Sequence, residues 1–90
     1  MPSFLAETFH PALRLPELRE SEDRVRAAAK ALTRAGTPVR YVRSIFVPED
    51  EICFFVLEAP SEAAARAAAS KARLRIERVV EAVESEKEER

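Results

Sequence analysis

The chain has 90 residues, 47% of them hydrophobic and 34% charged, with 15 Lys and Arg against 16 Asp and Glu. One small folded domain is the most this length carries, and that composition excludes wholesale disorder. The near-zero balance lacks the basic excess that marks a nucleic-acid binder, and no polybasic cluster marks a membrane surface. The single cysteine excludes an internal disulfide and a cysteine-held zinc. The N-terminus MPSFLAETF is not a secretory leader, and no stretch approaches the roughly 20 apolar residues of a membrane span. A soluble cytoplasmic protein follows as the expectation, without nucleic-acid or membrane partners.

Residues 3–9 form a short apolar run with β-friendly side chains, the first predicted strand. Pro11 and Pro16 then argue for a loop over 10–20, and Leu13, Leu15 and Leu18 make it an apolar loop that lies across a hydrophobic surface. Ser21 is a candidate N-cap, followed by Glu22 and Asp23 in a first helical turn. Val25, Ala28, Ala29, Leu32 and Ala35 recur at helical spacing. Gly36, the only glycine, suits a positive-φ helix end, and Pro38 stops the segment. Residues 39–47 and 51–59 are two strands joined by a turn at Pro48, Glu49 and Asp50, the spacing of a hairpin. Ser61 caps a second helix reaching about residue 72, in which Ala63, Ala64, Ala65, Ala67, Ala68 and Ala69 give high propensity and a thin profile. Residues 76–83 are the last strand.

The order β-α-β-β-α-β predicts an α+β, ferredoxin-like domain over 1–84 with a four-stranded antiparallel sheet. A charged flexible tail over 85–90 follows it. In that plan the helices cover one sheet face only. Yet Ile52, Cys53, Phe54, Phe55, Val56 and Leu57 are apolar without interruption, where a sheet with one wet face should alternate. Ile52, Phe54 and Val56 therefore need a cover. A second copy of the chain, meeting it sheet to sheet as in a dimeric αβ-barrel, supplies one. The alternative cover is the 10–20 loop with the C-terminus, folded over a monomer.

Four side chains stand out as candidate ligand-binding groups: His10, Tyr41, Arg43 and Glu58. His10 leaves strand one and has a reference pKa near neutrality, so it suits a general base or ligand as well as a plain surface histidine. Arg43 and Glu58 interrupt apolar strands. Simple alternation puts Arg43 on one face with Val39, Tyr41, Ile45 and Val47, and Glu58 with Ile52, Phe54 and Val56. Buried in an interface, each charge needs a partner: each other, or Glu7. A polar pocket with Arg43 holding an anion, Tyr41 lining it and His10 at its mouth is the functional form of that cluster. Cys53 reads as a core residue, or as a nucleophile if Arg43 lies across from it. Glu49, Asp50 and Glu51 lack calcium-loop spacing and read as a solvated turn. One glycine excludes a glycine-rich phosphate loop, and no hydrolase or metalloprotease spacing is present. Phe54 and Phe55 lack the basic setting of an RNA-binding sheet.

The segments Tyr41-Val42-Arg43-Ser44, Cys53 through Ser61, and Ile76 through Val83 resemble a family of small, mostly actinobacterial proteins. Its members are called uncharacterised, or nickel-binding after a characterised relative. The similarity runs from about residue 21 to 84. It implies a ferredoxin-like fold, dimers of the αβ-barrel kind, and nickel as a cofactor. Many members read His-Ser-Tyr where this chain reads Arg43-Ser44-Ile45. The histidine suits a borderline metal; an arginine repels a cation and suits a carboxylate or phosphate. The expectation is thus a homodimer binding a small molecule or metal ion near its interface. A cofactor-free monooxygenase or isomerase, with His10 as base and Arg43 as anion clamp, is the enzymatic rival. A purely structural interaction module is the other. No reaction is legible.

Overall fold

A computed structural model describes residues 1–12 and 14–85. Leu13 and residues 86–90, hence most of the expected tail, lie outside the described residues. Strand β1 spans Ser3–Phe9, helix α1 Leu15–Arg34, β2 Arg40–Val47, β3 Ile52–Glu58, α2 Glu62–Lys71 and β4 Ile76–Ala82. The sheet order is β2-β3-β1-β4, with every neighbouring pair antiparallel. This is the ferredoxin-like α+β architecture the element order implies.

The core lies between the helices and one sheet face. Phe4, Ala6 and Thr8 of β1 point into it with Cys53, Phe55 and Leu57 of β3 and Val79 of β4. Val25, Ala28 and Ala29 of α1 and the Ala64, Ala65, Ala68 and Ala69 stripe of α2 close it from above. Alanine suits both helices, because small side chains let their backbones lie close to the sheet.

Helix α1 starts earlier than its prolines suggest. Pro16 lies in the first turn, where a backbone N–H has no intrahelical acceptor and the ring's fixed φ fits. Glu17 accepts the Arg14 N–H at 3.0 Å and stabilises this entry. Residues 15–20 are therefore helix rather than loop. Ser21 is not the cap but a buried interior residue, its hydroxyl accepting from Arg24 at 3.3 Å. Leu18 packs on the core while Leu15 faces solvent. Gly36 ends α1 as expected, at φ +103°, with Thr37 N–H donating to Leu32 C=O and Gly36 N–H to Thr33 C=O. That is a Schellman end. Ser61 caps α2, accepting from Ala64 N–H at 3.2 Å. Strand β4 stops at Ala82, leaving Val83 exposed.

A bulge in β2 changes which residues share a face. Tyr41 pairs with Leu57 and Arg43 with Val56, so Val42 is the extra residue. Side chains alternate across a strand, and one inserted residue reverses the parity beyond it. Tyr41 and Val39 consequently join Ser44 and Phe46 on the helix side, while Arg43 lies with Ile45 and Val47 on the open side. The single face expected for Val39, Tyr41, Arg43, Ile45 and Val47 does not exist.

Candidate functional site

The open face of the sheet is an apolar field crossed by ion pairs. In register across it lie Leu5, Phe54, Val56, Ile45 and Val80, with Phe9, Ile52 and Val47 toward one end. Ile45 is 48% exposed and Phe9 42%. Ile52 and Phe54 are half-buried, whereas Val56 is only 2% exposed between its cross-strand neighbours Leu5 and Arg43. Of the three residues expected to need a cover, Ile52 and Phe54 offer surface and Val56 offers almost none.

The charges on this face are paired differently from the expectation. Arg40, not Arg43, holds Glu58, at 2.8 Å across β2 and β3. Arg78 holds Glu7 at 2.7 Å across β4 and β1. Arg43 reaches Glu84 beyond β4. Arg40, Arg43, Glu58 and Glu84 together line a recess of about 770 Å³ at the edge of the face, with Ser3, Val42 and Ser85.

Tyr41 lies on the other side of the sheet. Its hydroxyl donates to Glu22 of α1 at 3.3 Å, which leaves Ser44 to donate to the phenolic oxygen. Arg26 sits 5.2 Å from the ring centroid. Burial first, opposed by the Ser44 hydrogen bond, raises the phenol's pKa.

His10 is also on the helix side, at the far end of β1 from Arg43. Thr8 is fully buried beneath it, and its hydroxyl donates to the Cys53 carbonyl at 2.9 Å. A threonine hydroxyl has one proton. The 2.7 Å contact between Thr8 and His10 Nε2 therefore has the imidazole as donor, which fixes the neutral ring as the Nε2–H tautomer. Burial, then Arg75 and Arg24, push the His10 pKa below 6.5, with Glu17 opposing them. A recess of about 250 Å³ opens beside the ring.

The four candidate residues thus fall in three places: Arg43 and Glu58 on the open face, Tyr41 under α1, and His10 at the opposite end. Among the described residues Arg43 and His10 line separate recesses and do not form the base and clamp of one active site. Cys53 is fully buried opposite Phe46 and Thr8, not Arg43. Burial, then Glu22, raises its pKa to about 11, so it stays a protonated core thiol rather than a nucleophile. Glu51 does more than solvate a turn, since its carboxylate accepts the Ala12 N–H at 2.9 Å. Sequence reasoning missed Thr8, Glu22 and the recess arginines Arg24, Arg73 and Arg75. Only Thr8 carried a signal, as a polar residue that alternation sets on one face with Phe4 and Ala6.

A metal centre does not fit the donors of one chain. Among the described residues no three His, Cys, Asp or Glu side chains come close enough to hold an ion. The one imidazole bonds Thr8 and sits near arginines, and the one thiol is buried and protonated. Among the described residues no helix is long and apolar enough to cross a membrane.

Comparison with known proteins gives two results. The crystal structure of SCO4226 from Streptomyces coelicolor A3(2) superposes with a TM-score of 0.76 at 16% identity, covering 93% of this chain and 99% of that one. At that identity the likeness speaks to the fold. No curated protein matches. The family model described as "Nickel responsive protein SCO4226-like" matches residues 13–82, well over half of the chain, and the protein therefore belongs to this family.

Proposed function

We propose that the chain works as a homodimer closed through its open sheet faces, and that it binds a small polar molecule at the edge of that interface. The observation that carries this reading is the open face itself. Phe9, Ile45, Ile52 and Phe54 leave apolar surface in water there, on a sheet whose opposite face packs against the two helices. Each such side chain, once covered, contributes up to about 1.5–3 kcal/mol. A two-fold axis lets one patch cover its own copy. Arg40–Glu58 flanks the patch at one end and Arg78 holds Glu7, which lies opposite Phe54 within it, so both carboxylates enter the interface already paired.

The recess between Arg40, Arg43, Glu58 and Glu84 is the ligand position this reading favours. Its two guanidiniums and two carboxylates offer donors and acceptors in balance. That suits a small molecule carrying both, and not a free cation.

Light scattering coupled to gel filtration, at micromolar concentration, tests the assembly. The expected result is a dimer mass for the wild type and a monomer mass for Phe54→Asp. A monomeric wild type overturns the reading.

A further inference from the structure

Arg24, Arg73 and Arg75 converge beside His10. The recess there holds Glu17, Glu20, Ser21, Arg24, Arg73, Leu74 and Arg75 around the imidazole. On the open face Arg40, Arg43 and Arg78 each hold a carboxylate. Among the described residues Arg24, Arg73 and Arg75 form no ion pair. Glu17 is occupied elsewhere: it accepts the Arg14 N–H at 3.0 Å and lies 3.9 Å from the Arg14 guanidinium. The recess is left with cationic surplus and unused donors.

Three features show that this corner is built. Arg24 is fixed, with Nε donating to the Ala72 carbonyl at 2.9 Å and a terminal nitrogen to Ser21. His10 is oriented by Thr8, so Nδ1 carries the free lone pair and has no hydrogen bond among the described residues. Arg73 stands in the left-handed region at φ +60°. It ends α2 in a Schellman turn, with its N–H on Ser70 and Leu74 N–H on Ala69. Glycine fits that position without strain. The other left-handed residues, Ala12 and Glu51, also belong to this end: Glu51 accepts the N–H of His10 through its carbonyl and that of Ala12 through its carboxylate. Strained conformations gather where the surrounding structure has a use for them.

We infer that the recess between His10, Arg24, Arg73 and Arg75 binds a phosphate group, either as free phosphate or as the end of a phosphate monoester. Guanidiniums match phosphate oxygens with paired hydrogen bonds. At neutral pH a hydrogen phosphate keeps one O–H, which the unprotonated Nδ1 accepts; a monoester, with a second pKa of about 6, keeps one only as its monoanion. A carboxylate has no such proton to give. Glu17 and Glu20 from α1 and Glu51 from the turn before β3 are the opposing carboxylates. This site is on the helix side of the sheet, away from the proposed dimer interface, so the two readings fail independently.

His10 is the only histidine, which makes its ring a single reporter in the full chain. Its C–H resonances are followed by NMR against pH, in chloride and in millimolar inorganic phosphate. Saturable shifts and a higher His10 midpoint in phosphate are expected. Glycerol phosphate, compared with inorganic phosphate at about pH 6 where its monoanion is populated, is the arm for a monoester, and tighter binding of it there identifies the monoester as the form taken. Arg75→Ala should weaken phosphate by roughly tenfold or more. Arg73→Gly should weaken it likewise while raising the melting temperature, a pairing that a purely structural arginine does not give. Sulfate, which has no proton for Nδ1, should bind less tightly than phosphate at neutral pH. Unmoved His10 resonances, equal sulfate and phosphate binding, or wild-type affinity in both arginine variants overturns the proposal.

Discussion

Thr8 shows how one residue sets the chemistry of another. Its hydroxyl spends its proton on the Cys53 carbonyl, and so receives the proton of His10 Nε2. That bond survives protonation of the ring, because Nε2 donates in both states. Protonation costs instead through burial and through Arg75 and Arg24, which hold the folded pKa below 6.5. In the unfolded chain it returns to about 6.5. Above that value the ring is neutral in both states and adds no pH dependence. As the pH falls through 6.5, the unfolded chain takes up a proton that the folded chain resists, and stability drops until the folded pKa is passed. Urea denaturation from neutral pH down to about pH 5 should show this loss in the wild type. In His10→Gln, which does not titrate, that component should vanish; an unchanged slope places it on other groups.

At the scale of elements, the two helix ends make a controlled comparison. Both are Schellman turns, one with Gly36 and one with Arg73 at the left-handed position. A Cβ built on Gly36 meets nothing within 4 Å, so the cost of Gly36→Ala is the backbone conformation alone. About 1 kcal/mol is expected, read as a lower denaturation midpoint with an unchanged slope. The glycine end was legible in the sequence because glycine announces positive φ; the arginine end was not, because arginine announces nothing of the kind. The same contrast runs through the fold. Strand β1 and the second helix were legible from composition and capping. The start of α1 was hidden by Pro16, which breaks a helix interior but fits a first turn. The bulge at Val42 left no mark in residue type, and it moved Tyr41 from Arg43's face to the helix side. For the sites, His10 and Arg43 were visible as single residues. Their separation, and the gathering of Arg24, Arg73 and Arg75, depend on bringing α1, the α2–β4 connection and the end of β1 together.

For the whole molecule the question is where the surface of a two-layer domain ends. A chain of 90 residues has few ways to hide a second sheet face. Of the 10–20 segment offered as a cover, residues 15–20 extend α1 on the helix side instead. Beyond β4, Glu84 reaches Ser3 of β1 and Arg43 of β2, so the segment crosses one end of the face, while Ile45 stays 48% exposed. Among the described residues the internal cover is partial, leaving Ile45 and Phe9 exposed, and a second copy is the proposed cover for that remainder. Mass action then gives a signature that needs no knowledge of the ligand. A dimer that unfolds to separate chains is stabilised by raising its concentration, whereas a monomer is not. The melting temperature of the wild type should climb steadily as concentration is raised from low micromolar. In Phe54→Asp, which puts a charge into the proposed interface, it should be lower and independent of concentration. A wild-type melting temperature that ignores concentration means that the open face stays wet in a monomer, with its ion pairs keeping it soluble.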